Sequence, residues 1–144
     1  MKAVVQRVSS ASVVVEGETV ASIGTGMVVL LGVEQSDDDA QAKALAGKIA
    51  KLRIFPSERR PIDADITSVG GAALVVSQFT LCADTTRGNR PSFVSAAPPD
   101  RAEALYERFC AHLRTGGIPV ETGRFAAHME VALVNSGPVT ILFD

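Results

Sequence analysis

Tryptophan is absent from this chain of 144 residues, tyrosine occurs once, and cysteine and histidine occur twice each. Each scarcity closes off a class of chemistry. Cys82 and Cys110 are widely separated and fit neither a CxxC pair nor a zinc spacing. They read as two small buried hydrophobes in a reduced compartment. His112 and His128 form no HExxH and join no Cys/His cluster, so no metal site is expected. No apolar run approaches the ~18 residues of a membrane helix. Lys2, Gln6 and Arg7 stand where an export signal needs an apolar stretch, so a cytoplasmic protein is expected. There is no GxSxG elbow, and Gly24-Thr25-Gly26 is too short for a phosphate loop and lacks its lysine. Positive charge is not in excess either: the net charge is −2, unlike a nucleic-acid binder driven by bulk charge. Any RNA contact must then be local, a strand terminus lying over a few Arg and Lys side chains.

What is present is apolar and patterned. Apolar residues make up 47% of the chain, which excludes disorder, and residues 1–144 fit one compact domain without repeats or linkers. Val-rich residues 2–8 and 12–16 read as strands, followed after Glu16-Gly17-Glu18 by a strand over 19–23. Residues 27–33 are continuously apolar, the mark of a strand buried on both faces. Ser36 is placed to cap a helix whose first turn holds Asp37, Asp38 and Asp39, with Leu45, Ile49 and Leu52 on one face. A polar connection with a short strand near residues 62–66 follows, then a second buried strand over 72–81. Pro98-Pro99-Asp100 opens a helix with an apolar stripe of Ala102, Leu105, Tyr106, Phe109 and Leu113, stopped by Gly116-Gly117. Strands over 119–123, 128–134 and 139–143 complete the order. The expected fold class is α+β, a largely antiparallel sheet or barrel covered by two helices.

Paired carboxylates carry little chemistry here. A solvated helix N-terminus accounts for Asp37, Asp38 and Asp39, and Asp63 and Asp65 alternate on a face turned to water. Two segments stand out instead. Ser77-Gln78-Phe79-Thr80-Leu81 switches abruptly to polar residues after Ala-Ala-Leu-Val-Val. Buried hydroxyls and amides cost roughly 1–3 kcal/mol each without partners. Either the strand is leaving the core or these groups are kept for chemistry, and the residues alone leave both readings open. Asn135-Ser136-Gly137-Pro138-Val139-Thr140 sets Gly-Pro between two apolar strands. Pro belongs there only at a turn, bulge or edge, so a turn between neighbouring strands is the simplest reading.

Both segments resemble motifs of the D-aminoacyl-tRNA deacylase family. Ser77-Gln78-Phe79-Thr80-Leu81 is similar to its SQFTL motif and Asn135-Ser136-Gly137-Pro138-Val139-Thr140 to its NxGPVT motif. Gln6-Arg7-Val8, Leu30-Leu31-Gly32-Val33, Arg53-Ile54-Phe55, residues 87–93 and Thr122-Gly123-Arg124-Phe125 extend the resemblance over nearly the whole chain. One stretch departs: Arg60-Pro61-Ile62-Asp63 stands where relatives tend to carry a Lys-Met-Asn-like segment.

The resemblance implies a homodimer that cleaves D-aminoacyl-tRNA, and glycyl-tRNA, at the 3′-terminal adenosine, with no cofactor and no metal. In it Gly137-Pro138 would be a cis peptide reaching into the partner's site, where its carbonyls receive the substrate's α-ammonium and exclude an L side chain. Asn135 would belong to the same substrate-binding motif. Backbone N–H groups near Phe79 and Thr80 would hold the oxyanion, with the substrate's 2′-hydroxyl assisting. Ser77 and Gln78 would hold the motif and the terminal ribose, and Phe125 and Met129 would line the adenosine pocket. Three rivals stand beside this reading: Thr80 as a covalent nucleophile, a Thr80- or Cys82-dependent esterase, and a non-catalytic module for RNA 3′ ends or D-amino acids.

Overall fold

The computed structural model describes residues 1–144. The order is β1 (Lys2–Val15), β2 (Glu18–Ile23), β3 (Gly26–Gly32), α1 (Asp39–Ala50), β4 (Ala72–Ser77), a 3₁₀ turn (Phe79–Cys82), α2 (Pro99–Thr115), β5 (Val120–Thr122) and β6 (Glu130–Phe143). Strand β1 organises the sheet. Its first half pairs with β3 and its second half with β2 on one edge, while β6 runs along the other, all antiparallel. Pairs β3–β4 and β4–β5 are parallel. The sheet is thus largely antiparallel, as expected, with two parallel pairs added. The reason lies in the connections: α1 separates β3 from β4 and α2 separates β4 from β5, and a helical crossover returns the chain parallel. The α+β class stands, as a mixed sheet nearly closed into a barrel with two helices.

Both faces of the sheet are buried. Met27, Val29 and Leu31 of β3 and Ala73 and Val75 of β4 pack with Ile49 of α1 and Phe109 and Leu113 of α2. Their neighbours Val28, Leu74 and Val76 face the second half of β1 and β2, among Val8, Val13 and Ile23. That is why residues 27–33 read as an unbroken apolar run. Strand β3 also approaches the start of β4 closely: a β-carbon on Gly26 would lie 1.8 Å from the Ala72 carbonyl oxygen. Only glycine fits there.

Strand β1 is continuous across the break expected between its two halves. Its pairing with β6 slips between Gln6 and Val8 and again between Val8 and Ser10. Ala3 and Val5 face the helix-side core, whereas Val8, Ala11 and Val13 face the other. These bulges turn the strand over and re-aim Arg7.

Other boundaries also differ from expectation. Asp38, not Ser36, caps α1: its carboxylate accepts from Ala40 N at 2.9 Å and Gln41 N at 3.2 Å, while Gln41 Oε1 accepts from Asp38 N at 2.8 Å. This reciprocal box satisfies more end groups than Ser36 could. The buried face is Ala42, Ala46 and Ile49, with Leu45 only partly covered and Leu52 beyond the helix. Helix α2 buries its whole expected stripe and Cys110 besides. The short strand near 62–66 reduces to a bridge between Phe55 and Ala64. Strand β4 ends at Ser77. Strand β6 runs unbroken through Gly137-Pro138.

The acids of the α1 start are not simply solvated. Asp37 is buried and accepts from the Met1 amino group at 2.6 Å and from Glu34 N at 2.7 Å. Asp63 accepts from Ser57 Oγ at 2.7 Å and pairs with Arg53, and Asp65 accepts from Ser68 N at 2.9 Å. Asp39 joins the helices, accepting from Arg108 Nε at 2.9 Å and lying 3.0 Å from His112 Nε2. The Arg108 hydrogen bonds, and then His112, hold its carboxyl well below the ordinary value of 3.8. A depressed folded pKa contributes stability above the unfolded value that is lost as pH falls through the folded one. Asp39→Asn should therefore lower Tm at neutral pH, and the gap to the parent should close as the pH drops well below 3.8. Thermal melts of both proteins across that range check this; a gap that persists in strong acid contradicts it.

Candidate active site

The apolar strand β4 delivers its C-terminal end to the sheet margin. Gln78 N still donates to Leu31 O at 2.8 Å, and the chain then turns into the 3₁₀ segment, where Leu81 N donates to Gln78 O at 3.2 Å. The first N–H groups of such a turn, those of Phe79 and Thr80, have no partner within it. They form a small anion-favouring corner at the strand's end. Gln78 Nε2 donates to Thr80 Oγ1, which fixes the amide across the turn.

This corner opens on a recess of about 670 Å³, the size of a pocket for a nucleoside or amino-acid group. Its walls are mainly apolar. Phe79 is exposed and stands edge-on to Phe93, with ring centroids 5.0 Å apart. Phe125, which also lines the recess, leans on Tyr106 at 6.1 Å, whose hydroxyl donates to Val75 O at 2.7 Å. Ser77, Gln78, Phe79, Phe125 and Met129 all line this one recess, while Thr80 is exposed at its margin. Among the lining residues outside the candidate set are one aromatic, Phe93, inside the resembling 87–93 segment, and one imidazole, His128, weighed above only as a metal ligand.

Asn135, Gly137 and Pro138 lie elsewhere. They do not line the recess of their own chain. The Gly137-Pro138 peptide is cis, with Gly137 at φ +129°. Asn135 braces the bend from within: its Oδ1 accepts from Val139 N at 2.9 Å and its Nδ2 donates to Thr140 Oγ1 at 3.0 Å. Arg7 braces it from β1. Its Nε donates to Ser136 O at 2.8 Å, and its Nη1 donates to Ile54 O at 2.6 Å and Pro61 O at 3.1 Å. Pro61 belongs to the divergent 60–63 stretch, so that stretch abuts the Gly-Pro bend through Arg7. Sequence reasoning gave Arg7 no role. Its only local signal is a charge beside Gln6 in the Val-rich β1, at a bulge visible only in the pairing.

Cys82 lies beneath the corner, 2% exposed, with its thiol 3.6 Å from Val33 O. Burial pushes the thiol pKa up, with Glu34 adding to the effect, so it stays protonated and is poorly suited to attack an ester. Cys110 is likewise buried, with its thiol pushed up to about 11 by burial. No group of three or more His, Cys, Asp and Glu side chains is placed to hold a metal ion. No helix is long and apolar enough to cross a membrane.

A mixed sheet nearly closed into a barrel, with two helices and a mainly apolar recess at the end of β4, defines an α+β protein with a candidate site. The chain belongs to the D-Tyr-tRNA(Tyr) deacylase family, whose model matches residues 4–144. It is 57% identical over 144 residues to the D-aminoacyl-tRNA deacylase of Cereibacter sphaeroides (strain KD131 / KCTC 12085), covering 100% of this chain and 99% of that one. It is 58% identical to the D-aminoacyl-tRNA deacylase of Symbiobacterium thermophilum, again over 100% of this chain and 95% of the relative. Among solved structures, the c-Myc DNA Unwinding Element Binding Protein matches with a TM-score of 0.93 and 39% identity, covering 100% of this chain and 98% of that one. A probable eukaryotic D-amino acid tRNA deacylase shares the fold at a TM-score of 0.82 and 19% identity, covering 99% of this chain and 97% of that one.

Proposed function

We propose that this protein hydrolyses the ester joining a D-amino acid to the 3′-terminal adenosine of tRNA, and accepts glycyl-tRNA by the same route. In this reading it works in the cytoplasm as a homodimer, proofreading the chirality of charged tRNA. The observation that carries the reading is the corner formed by Phe79 and Thr80 at the mouth of an apolar recess, in a chain of this family.

The terminal adenosine enters between Phe125, Met129 and the Phe79–Phe93 pair. The scissile carbonyl then points at the Phe79 and Thr80 N–H groups. Water adds to the carbonyl carbon, the oxygen takes the negative charge, and the two donors stabilise it. Collapse breaks the ester bond to the ribose oxygen, which must recover a proton. The polar side chains near that corner, Ser77, Gln78 and Thr80, are hydroxyls and an amide, and none of them hydrogen-bonds a carboxylate or an imidazole. The substrate's neighbouring 2′-hydroxyl is therefore the better proton relay.

Handedness comes from the second motif. Gly137-Pro138 lies outside the recess of its own chain, so it acts on the recess of a second copy. Strand β6, which carries it, pairs only with β1 and exposes Val134 and Leu142. An unpaired edge with exposed apolar side chains favours coverage by another chain. In that arrangement a carbonyl of the bend accepts the α-ammonium. An L side chain then meets the backbone of the bend, while a D side chain or the hydrogen of glycine points away.

The direct test is hydrolysis of D-Tyr-tRNA against L-Tyr-tRNA by the purified protein. Equal rates on both, or none on either, would remove the proposal. A monomer at micromolar concentration in sedimentation would remove the cross-subunit part alone. Thr80→Val is expected to keep activity within about tenfold, since its N–H remains and only one hydrogen bond is lost. A trapped acyl-enzyme on Thr80, or a loss approaching the ~10⁶-fold that follows removal of a nucleophile, would favour the covalent route instead.

A further inference from the structure

We infer that the recess is flanked by a phosphate-binding rim, Arg87 and Arg90 on one wall and Arg124 on the other, that grips the last internucleotide phosphates of the tRNA. The inference rests on the proposed tRNA substrate, because the recess itself accounts only for a nucleoside and an amino acid.

The first wall is a rigidly based excursion. Asp84 and Ser92 pair as an antiparallel bridge, with N–H to O distances of 2.7 and 2.9 Å. Asp84 also accepts from Thr86 N at 2.9 Å and Thr86 Oγ1 at 2.7 Å, so its charge is engaged at the base of the loop. Ser95 Oγ donates to Cys82 O at 2.8 Å, tying the returning strand to the 3₁₀ turn. Residues 85–91 between these ties are all exposed and contain two arginines and no acid. The loop leaves directly from the Phe79–Cys82 turn and returns directly into Phe93, so it is anchored at both ends to the recess wall. The second wall is the turn closed by Ala127 N on Arg124 O at 3.2 Å. Its residues Phe125, Ala126, Ala127 and His128 line the recess, and exposed Arg124 opens it.

None of these three guanidiniums has a carboxylate partner, unlike Arg53 and Arg108. All three are exposed, so their charges are available to a ligand. An adenosine seated in the recess must continue to a phosphodiester where it leaves, and these are the cations tethered to both walls of that exit. Guanidinium forks suit phosphate oxygens geometrically.

The test compares Arg87→Ala/Arg90→Ala/Arg124→Ala with the parent on two readouts. The first is binding of 5′-fluorescein-labelled uncharged tRNA as a function of salt. Each phosphate contact on single-stranded nucleic acid contributes a slope of roughly 0.7, so the variant's slope should be shallower by about 2. Between about 50 and 200 mM salt the parent should thus lose about twentyfold more affinity than the variant. The second readout is the ratio of kcat/KM on D-Tyr-tRNA to that on 3′-D-tyrosyl-adenosine, which carries no phosphate and should lose its preference for tRNA in the variant. Lys43→Ala/Lys48→Ala/Lys51→Ala removes three cations at α1, which lines no part of the recess, and should leave the slope as in the parent. An unchanged slope in the arginine variant, an equal change in the lysine control, or a parent that does not bind tRNA overturns the rim. Binding with the expected slope but no hydrolysis by the parent would uphold the rim and remove the deacylase reading alone.

Discussion

Replacing Gly137 by alanine is expected to lower kcat/KM on D-aminoacyl-tRNA by about 100-fold or more while leaving a folded protein. Two separate obstacles meet at this residue. Its φ of +129° is a conformation L side chains rarely adopt, which costs of order 1–3 kcal/mol when forced on them. The new β-carbon would also lie 2.7 Å from Arg7 Nη2 and 3.0 Å from Val139 Cγ2. Arg7 cannot simply swing away, because its Nε and Nη1 are committed to three carbonyls. The bend must shift by some tenths of an ångström or more, and a displacement of about 1 Å at a positioning element can cost about 100-fold in rate. Tm should fall by roughly 3–10 °C, since the strain is local to one exposed bend. Steady-state kinetics and a melt on the same sample read both quantities. Unchanged kinetics would reduce Gly137 to a turn residue and remove the proposed role of the bend.

Arg7→Ala is the second large effect. One side chain donates to carbonyls of three separated segments: Ser136 beside the Gly-Pro bend, Ile54 after α1, and Pro61 in the divergent stretch. Hydrogen bonds from a charged donor contribute roughly 1.5–3 kcal/mol each when buried. Those to Ser136 and Ile54 are only partly buried and that to Pro61 is exposed, so a total loss of roughly 2–4 kcal/mol is expected. The bend loses its brace from β1 but keeps the one from Asn135. Turnover of D-Tyr-tRNA should fall at least about tenfold, mainly in kcat, and L-Tyr-tRNA should lose part of its exclusion. Lysine at this position should not restore either, because a single ammonium cannot span the three acceptors from one planar fork. A variant with parental rates on both substrates would show that Arg7 only stabilises the fold.

Much of this architecture was legible in local pattern. The unbroken apolar run of β3 announced a strand covered on both faces. The five-residue stripe of α2 appears as its buried face, because a helix with one wet side encodes its partner in its own period. The switch from Ala-Ala-Leu-Val-Val to Ser-Gln-Phe-Thr flagged the polar end of the recess. Other features depended on what lay across a gap in the chain. Strand β4 was read four residues too long, because Phe79 and Leu81 look like strand residues until the turn places Phe79 against Phe93. The parallel pairs depended on which strands became neighbours after each helix. Arg7 needed both the bulge and the three carbonyls assembled around it.

The sequence by itself determined the two-sided burial of the central strands, the helix faces, and the presence of two unusual polar segments. Periodicity and composition are properties of the chain as written, and they survive in any fold that buries them. Only the tertiary structure decided that Phe79, Phe93 and Phe125 wall one recess and that Gly137-Pro138 stands outside it. Those outcomes rest on contacts between segments tens of residues apart, whose geometry is settled by the packing of the whole sheet and not by any local preference.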